Sequence, residues 1–186
     1  MLTIPNLISL IRLGLIPVFL WLLVGRDNPF AAGWLLGFIG ATDWIDGYLA
    51  RRLDQVSEVG KFLDPLADRL AVVTAVIAGL ISGDIPAWFA WALIIREVLI
   101  GIGALVVALK GHTKLEVRDL GKLATFLLYL AIAWFFVGAE WEWARWLALV
   151  VGVPGLVLYY IVGYQYAGDA VAAIRRGANA DSASAN

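Results

Sequence analysis

The sequence predicts an all-α integral membrane protein with six transmembrane helices. Three observations carry this. Of the 186 residues, 62% are apolar and 16% charged, whereas a soluble domain carries roughly 45–50% apolar and about 25% charged residues. So few charges cannot cover a water-facing surface, and the excess apolar surface must face lipid. Six stretches, at about 6–25, 30–52, 60–82, 86–110, 119–138 and 144–173, each approach or exceed the ~20 mostly apolar residues that a helical span needs. Polar or turn-forming segments separate them.

The first stretch reads as a retained span and not as a signal peptide. No basic segment precedes it, Arg12 lies inside the apolar run, and no small-x-small cleavage site follows. Gly25-Arg26-Asp27-Asn28-Pro29 breaks it from the second span, and Ser82-Gly83-Asp84-Ile85-Pro86 breaks the third from the fourth. The connections are short, so residues 1–176 form one membrane domain with antiparallel neighbours and no internal repeat. The stretch 177–186 is small and polar, and is predicted to be a disordered cytoplasmic tail.

Orientation follows from Lys and Arg, which concentrate on the cytoplasmic side. Arg51, Arg52 and Lys61 flank the second connection, Lys110, Lys114, Arg118 and Lys122 flank the fourth, and Arg175 and Arg176 lie near the end. The other side has Arg26 and Arg145. Both termini are therefore expected in the cytoplasm. Trp88, Trp91, Trp141, Trp143 and Trp146 fall near the opposite interface, where tryptophans anchor a bundle among lipid head groups.

Several chemistries are excluded. There is no Cys, hence no disulfide or thiolate metal site, and the single His112 rules out multi-histidine sites. A net charge of −1 argues against nucleic-acid binding.

The informative residues are carboxylates. The second span contains Asp43, Asp46, Gly47, Ala50 and Arg51, and the third contains Gly60, Asp64 and Asp68. A carboxylate at mid-span costs roughly 2.5–3.5 kcal/mol, so such residues face a bundle interior or a wet cavity and are functional by default. Asp43, Asp46, Gly47 and Ala50 recur at helical spacing on one face, as do Asp64 and Asp68. With 1.5 Å rise per residue, Asp43 and Asp68 would both lie ~12–14 Å from the cytoplasmic helix ends, and Asp46 and Asp64 ~6–9 Å. An antiparallel hairpin would then gather all four. Four carboxylates cannot all stay ionised in a low-dielectric pocket without cations. Oxygen donors alone select Mg²⁺, Mn²⁺ or Ca²⁺, and two ions on four aspartates would suit phosphoryl transfer. Gly47 and Ala50 leave a groove beside the backbone, and Arg51 can pair with a phosphate. An ion-coupled transporter with the aspartates as its cation site remains open on these grounds.

Asp43-x2-Asp46-Gly47-x2-Ala50-Arg51-x8-Gly60-x3-Asp64-x3-Asp68 resembles the signature of the CDP-alcohol phosphotransferases at all eight fixed positions, without a gap. The six-span layout fits that family over about residues 3–170. The resemblance implies a homodimer in the bilayer, CDP-diacylglycerol as donor, and two divalent ions, Mg²⁺ or Mn²⁺. It implies that Asp43, Asp46, Asp64 and Asp68 ligate the metals, that Asp68 doubles as general base, and that Gly47, Ala50 and Arg51 hold the CDP portion. The cytoplasmic face would carry the active site. A transporter would not explain Ala50-Arg51 or the fixed gap to Gly60.

Thr3-Ile4-Pro5-Asn6-Leu7 and Arg12 look like the start of the branch that makes phosphatidylglycerophosphate and cardiolipin. Asn6 is then a candidate nucleotide contact, although Pro5-Asn6 is equally an ordinary helix start. Arg96-Glu97 and Gly121-Lys122-x2-Thr125 also resemble that branch. Arg96-Glu97 lies mid-span, where an ion pair bracing the helices is the simpler role. Members using glycerol 3-phosphate usually carry a basic residue seven positions after that Glu and a Lys just before the Thr. Here those places hold Ala104 and Ala124. A nearly dianionic phosphomonoester wants several cations, whereas phosphatidylglycerol carries one diester charge. The expected acceptor is therefore phosphatidylglycerol, giving cardiolipin, with glycerol 3-phosphate second. Lys122, Arg118 and Lys114 are candidate acceptor-site cations, and a solvated positive-inside loop explains them equally well.

Overall fold

A computed structural model describes the backbone of residues 4–53, 58–109 and 119–184, with side chains for most positions in 7–42, 67–103 and 120–168. Among the described residues every regular element is helical: α1 (Ile4–Leu20), α2 (Pro29–Leu53), α3 (Glu58–Ser82), α4 (Ala87–Leu109), α5 (Asp119–Val137) and α6 (Glu142–Ser184).

The sequence punctuates these helices. α1 runs on through a π-helical turn, Trp21–Gly25. Asp27 then takes a positive φ of 50°, a conformation that Asp tolerates better than most residues. Asn28 caps α2, its Oδ1 accepting a hydrogen bond from the Ala31 amide at 2.8 Å, and Pro29 takes the first helical position, where its missing N–H costs nothing. α3 stops at Gly83, whose φ of +83° lets the amides of Gly83 and Ile85 both reach back to the Gly79 carbonyl at 3.1 Å.

The predicted spans coincide with these helices to within about two residues at their bounds, with one exception. α6 continues to Ser184, so residues 177–184 are helical where polar composition predicted disorder. Alanine recurs there, at Ala178, Ala180 and Ala183, and has the highest helix propensity of any residue.

α5 is central, packing on α2, α6 and, less extensively, α3. α1 packs on both α2 and α3, and α4 closes against α3 and α6. The core is aromatic and aliphatic. Phe136 meets Phe19 edge-on at 5.3 Å between ring centres, and Phe89 meets Phe135 at 5.1 Å. α2 approaches α5 closely because Gly33 lacks a side chain: a Cβ there would lie 2.8 Å from both the Ala133 carbonyl oxygen and the Val137 nitrogen. Small residues at such contacts are how membrane helices approach one another.

The outward faces are apolar, with Val24, Phe38, Ile81 and Val150 all more than 60% exposed. Among the described residues, Leu120–Val137 and Glu142–Gln165 are long and apolar enough to cross a membrane, and Leu10–Gly25, Pro29–Thr42 and Arg69–Ser82 are shorter apolar helices. Aromatic residues gather where α2 and α6 begin and α5 ends. Trp141 stacks on Trp143 at 5.6 Å and meets Phe30 at 4.9 Å, and Trp34 meets Trp134 at 5.9 Å. At the same end Arg145 donates from Nη2 to the Asp84 carbonyl at 3.4 Å, tying α6 to the α3–α4 turn.

Candidate active site

The motif divides between two consecutive helices. Asp43, Asp46, Gly47, Ala50 and Arg51 lie on the second half of α2, and Gly60, Asp64 and Asp68 on the first half of α3. Asp43 and Asp68 are each about ten residues from the helix end that faces the connection, ~15 Å along the axis, and Asp46 and Asp64 are ~9–10 Å from it. The backbone of both helices is continuous through the motif, so the spacing that puts the aspartates of each helix on one face is kept. The motif side chains themselves lie outside the described residues, as does that of Asn6; Lys114 and Arg118 lie outside them entirely.

α2 and α3 share two neighbours, α1 and α5. α1 contributes Arg12, which is 1% exposed. It lies on the helix that packs against both motif-bearing helices. A lone Arg within an apolar run was its signal in the sequence.

A second polar group begins at Arg69, the residue after Asp68. Glu97 of α4 accepts three donors. Arg69 of α3 gives its Nε to Oε2 at 3.3 Å, Arg96 gives Nη1 to Oε1 at 3.0 Å, and the Tyr159 hydroxyl of α6 donates to Oε1. The Arg96 guanidinium also lies 3.3 Å from the centre of the Tyr159 ring, a cation–π contact. The expected Arg96-Glu97 brace is present, and it joins three helices. Arg69 and Tyr159 were not singled out in the sequence. An Arg directly after the last signature Asp reads as part of the motif's flank, and a Tyr in an apolar span reads as packing.

Between α3, α4, α5 and α6 lies a cavity of about 260 Å³, lined by apolar side chains such as Val72, Val76, Leu93 and Ile132, with Glu97, Thr125, Tyr129 and Tyr159 as its polar residues. Val72 and Val76 continue the helical face of Asp64 and Asp68 at successive i+4 steps.

On α5, Lys122 is exposed. Thr125 donates its hydroxyl to the Gly121 carbonyl at 2.9 Å, an intrahelical bond. Ala124 is 0% exposed, so its position is enclosed by packed neighbours. Ala104 has its side chain outside the described residues.

Comparison with known proteins agrees with the family resemblance. The profile of the CDP-alcohol phosphatidyltransferase family matches residues 2–154. A protein of Streptomyces coelicolor named cardiolipin synthase (CMP-forming) is 34% identical over 97% of this chain and 86% of its own length. A Mycobacterium tuberculosis protein named putative cardiolipin synthase is 41% identical over 67% of this chain and 60% of its own length. A Bacillus subtilis protein named CDP-diacylglycerol–glycerol-3-phosphate 3-phosphatidyltransferase is 39% identical over 72% of this chain and 76% of its own length. The chain belongs to the CDP-alcohol phosphatidyltransferase family.

Proposed function

We propose that this enzyme transfers the phosphatidyl group of CDP-diacylglycerol to phosphatidylglycerol, forming cardiolipin and CMP. The observation that carries the choice of acceptor is Ala124. It occupies the place where glycerol 3-phosphate users usually carry a Lys, and it is fully buried, with no room for a solvated ammonium. The similarity to the Streptomyces protein over nearly the whole chain supports the same reading.

The donor set fits divalent metal. Four aspartates with no Cys, and with the lone His112 outside the motif, are hard oxygen ligands. Asp43, Asp46, Asp64 and Asp68 would hold two Mg²⁺ or Mn²⁺ ions, which when bound neutralise the pyrophosphate and the departing CMP. Gly47 and Ala50 leave the backbone of α2 open to the cytidine portion, and Arg51 pairs with its phosphate. Asn6 adds a nucleotide contact at the start of α1. Asp68 takes the proton from the free glycerol hydroxyl of phosphatidylglycerol. That oxygen forms a bond to the phosphorus bearing diacylglycerol, and the bond from this phosphorus to the CMP oxygen breaks. Lys122, with Arg118 and Lys114, draws the anionic acceptor towards the site.

The six helices cross the bacterial plasma membrane, with the termini and motif on the cytoplasmic side, and the active form is a homodimer. The positive-inside distribution and the aromatic cluster at the opposite end support this placement. A second acceptor, glycerol 3-phosphate, is favoured by the Bacillus relative. Purified enzyme supplied with CDP-diacylglycerol and each acceptor in turn decides between them. Cardiolipin with equimolar CMP is expected, and phosphatidylglycerophosphate as the main product would overturn the assignment.

A further inference from the structure

The aspartate motif and the apolar cavity meet at one side chain of α5. On α2, Gly40 lies one turn before Asp43 and shares a helical face with Asp43, Gly47 and Ala50. A Cβ at Gly40 would collide with Cε1 of Tyr129 and lie 2.6 Å from its Cδ1. The ring of Tyr129 thus fills the space that any other residue at 40 would need. On α3, Val72 and Val76 follow Asp68 at i+4 steps and line the cavity, of which Tyr129 is also a wall. Tyr129 therefore lies on the continuation of both aspartate-bearing faces, on the side away from the α2–α3 connection.

The register of α5 against α2 follows from the glycines. Gly33 abuts Ala133 and Val137, Gly37 lies against Ala133, and Gly40 abuts Tyr129. The same antiparallel pairing, carried about two turns towards the connection, brings Lys122 level with Gly47 and Thr125 level with the turn that begins at Asp43. Lys122, Thr125 and Tyr129 recur at i, i+3 and i+7 on one face of α5. That face descends beside the motif from an exposed cation, past an exposed hydroxyl, to a half-buried aromatic ring.

We propose that Tyr129 is the floor of the acceptor pocket, a specificity-determining residue whose ring, seated on Gly40, stops the alcohol head at the height of Asp43 and Asp68. This deepens the proposed function and rests on its lipid acceptor. With its phosphodiester drawn to Lys122, a three-carbon head reaches down the α5 face and presents its terminal hydroxyl to Asp68. The ring denies it the cavity beneath. A longer head must fold above the ring, and its hydroxyl is then misplaced. One methylene in a close-fitting pocket changes kcat/KM by about 10–200-fold. An attacking oxygen must also come within about 3–3.5 Å of its target in the right direction, so a floor that fixes its height acts on turnover as well as on choice.

The test is the ratio of kcat/KM for two lipid acceptors that differ in head length, phosphatidylpropanediol and phosphatidylhexanediol. It is measured in mixed micelles with saturating CDP-diacylglycerol, once the wild-type product has been identified. The wild type should favour the shorter head. Tyr129→Ala opens the floor into the cavity and should move the ratio about tenfold or more towards the longer head, with the KM for CDP-diacylglycerol at the parent value. Tyr129→Val, which removes less packing, should move it the same way. Tyr129→Phe keeps the ring and should keep the wild-type ratio. Gly40→Ala unseats the ring and should shift the ratio in the parent but not in the Tyr129→Ala background. Lost packing alone lowers both acceptors together, so an unchanged ratio in Tyr129→Ala and Tyr129→Val overturns the proposal. An equal shift in Tyr129→Phe assigns the effect to the hydroxyl and overturns it too, as does a Gly40→Ala effect of the same size in both backgrounds. If the wild type forms no cardiolipin from phosphatidylglycerol, the acceptor assignment falls and takes this floor with it; a wild type that forms cardiolipin while its variants keep the ratio removes the floor alone.

Discussion

Asp68 can serve as a base only if its carboxylate is free of tight metal ligation when the hydroxyl approaches. Asp68→Asn keeps shape and one acceptor oxygen but loses basicity, so kcat should fall by ~10²–10⁴. CDP-diacylglycerol binding, followed by displacement of a labelled analogue, should survive better than turnover. Near-parental kcat in Asp68→Asn would move the base elsewhere. If they hold the proposed ions, Asp43→Ala, Asp46→Ala and Asp64→Ala should each abolish turnover while the protein elutes as a folded species. Chelation of the wild type should do the same, reversed by Mg²⁺ or Mn²⁺; full activity in excess chelator contradicts the two-ion reading. At this scale the signature aspartates stand out in the sequence because carboxylates in apolar helices have few structural excuses. Arg69 and Tyr159 do not, since their meaning depends on Glu97 of a different helix, and a partner on another helix leaves no spacing to read.

Helix bounds were legible because each stop has a local cause: Asn28 and Pro29 start α2, and Gly83 ends α3. The choice of neighbours was not. That α1 packs on both motif helices, and that α5 sits at the centre, depends on residues such as Gly33, whose lack of a side chain shows its use only beside Ala133 and Val137. The end of α6 was misjudged because polarity was weighed above alanine's helix propensity. The Glu97 cluster fastens α3, α4 and α6 together. Glu97→Ala leaves Arg96, 8% exposed, without its carboxylate; breaking a buried pair in this way costs about 3–5 kcal/mol. Thermal unfolding in detergent should show Tm lowered by roughly 5 °C or more, with Glu97→Gln less affected because it keeps an acceptor. An unchanged Tm in Glu97→Ala would show that the cluster does not brace the bundle.

The whole molecule has a charge and aromatic asymmetry that was readable from sequence alone, because lipid imposes it on positions without reference to fold. The absence of native Cys makes topology directly testable. Single cysteines replacing Arg26 or Arg145 should react with an impermeant reagent added outside intact cells, and those replacing Asp54 or Lys114 only after permeabilisation. The reverse pattern would put the motif on the non-cytoplasmic side and contradict the proposed orientation. The acceptor was the least legible property, since it depends on absent cations at Ala104 and Ala124; only the buried setting of Ala124 gives that absence a physical cause. The most direct measurement is a competition: purified enzyme in one lipid preparation with CDP-diacylglycerol, phosphatidylglycerol and glycerol 3-phosphate, with the ratio of the two lipid products giving relative kcat/KM. Cardiolipin should dominate and CMP should match it mole for mole; a predominance of phosphatidylglycerophosphate would contradict transfer to a lipid acceptor.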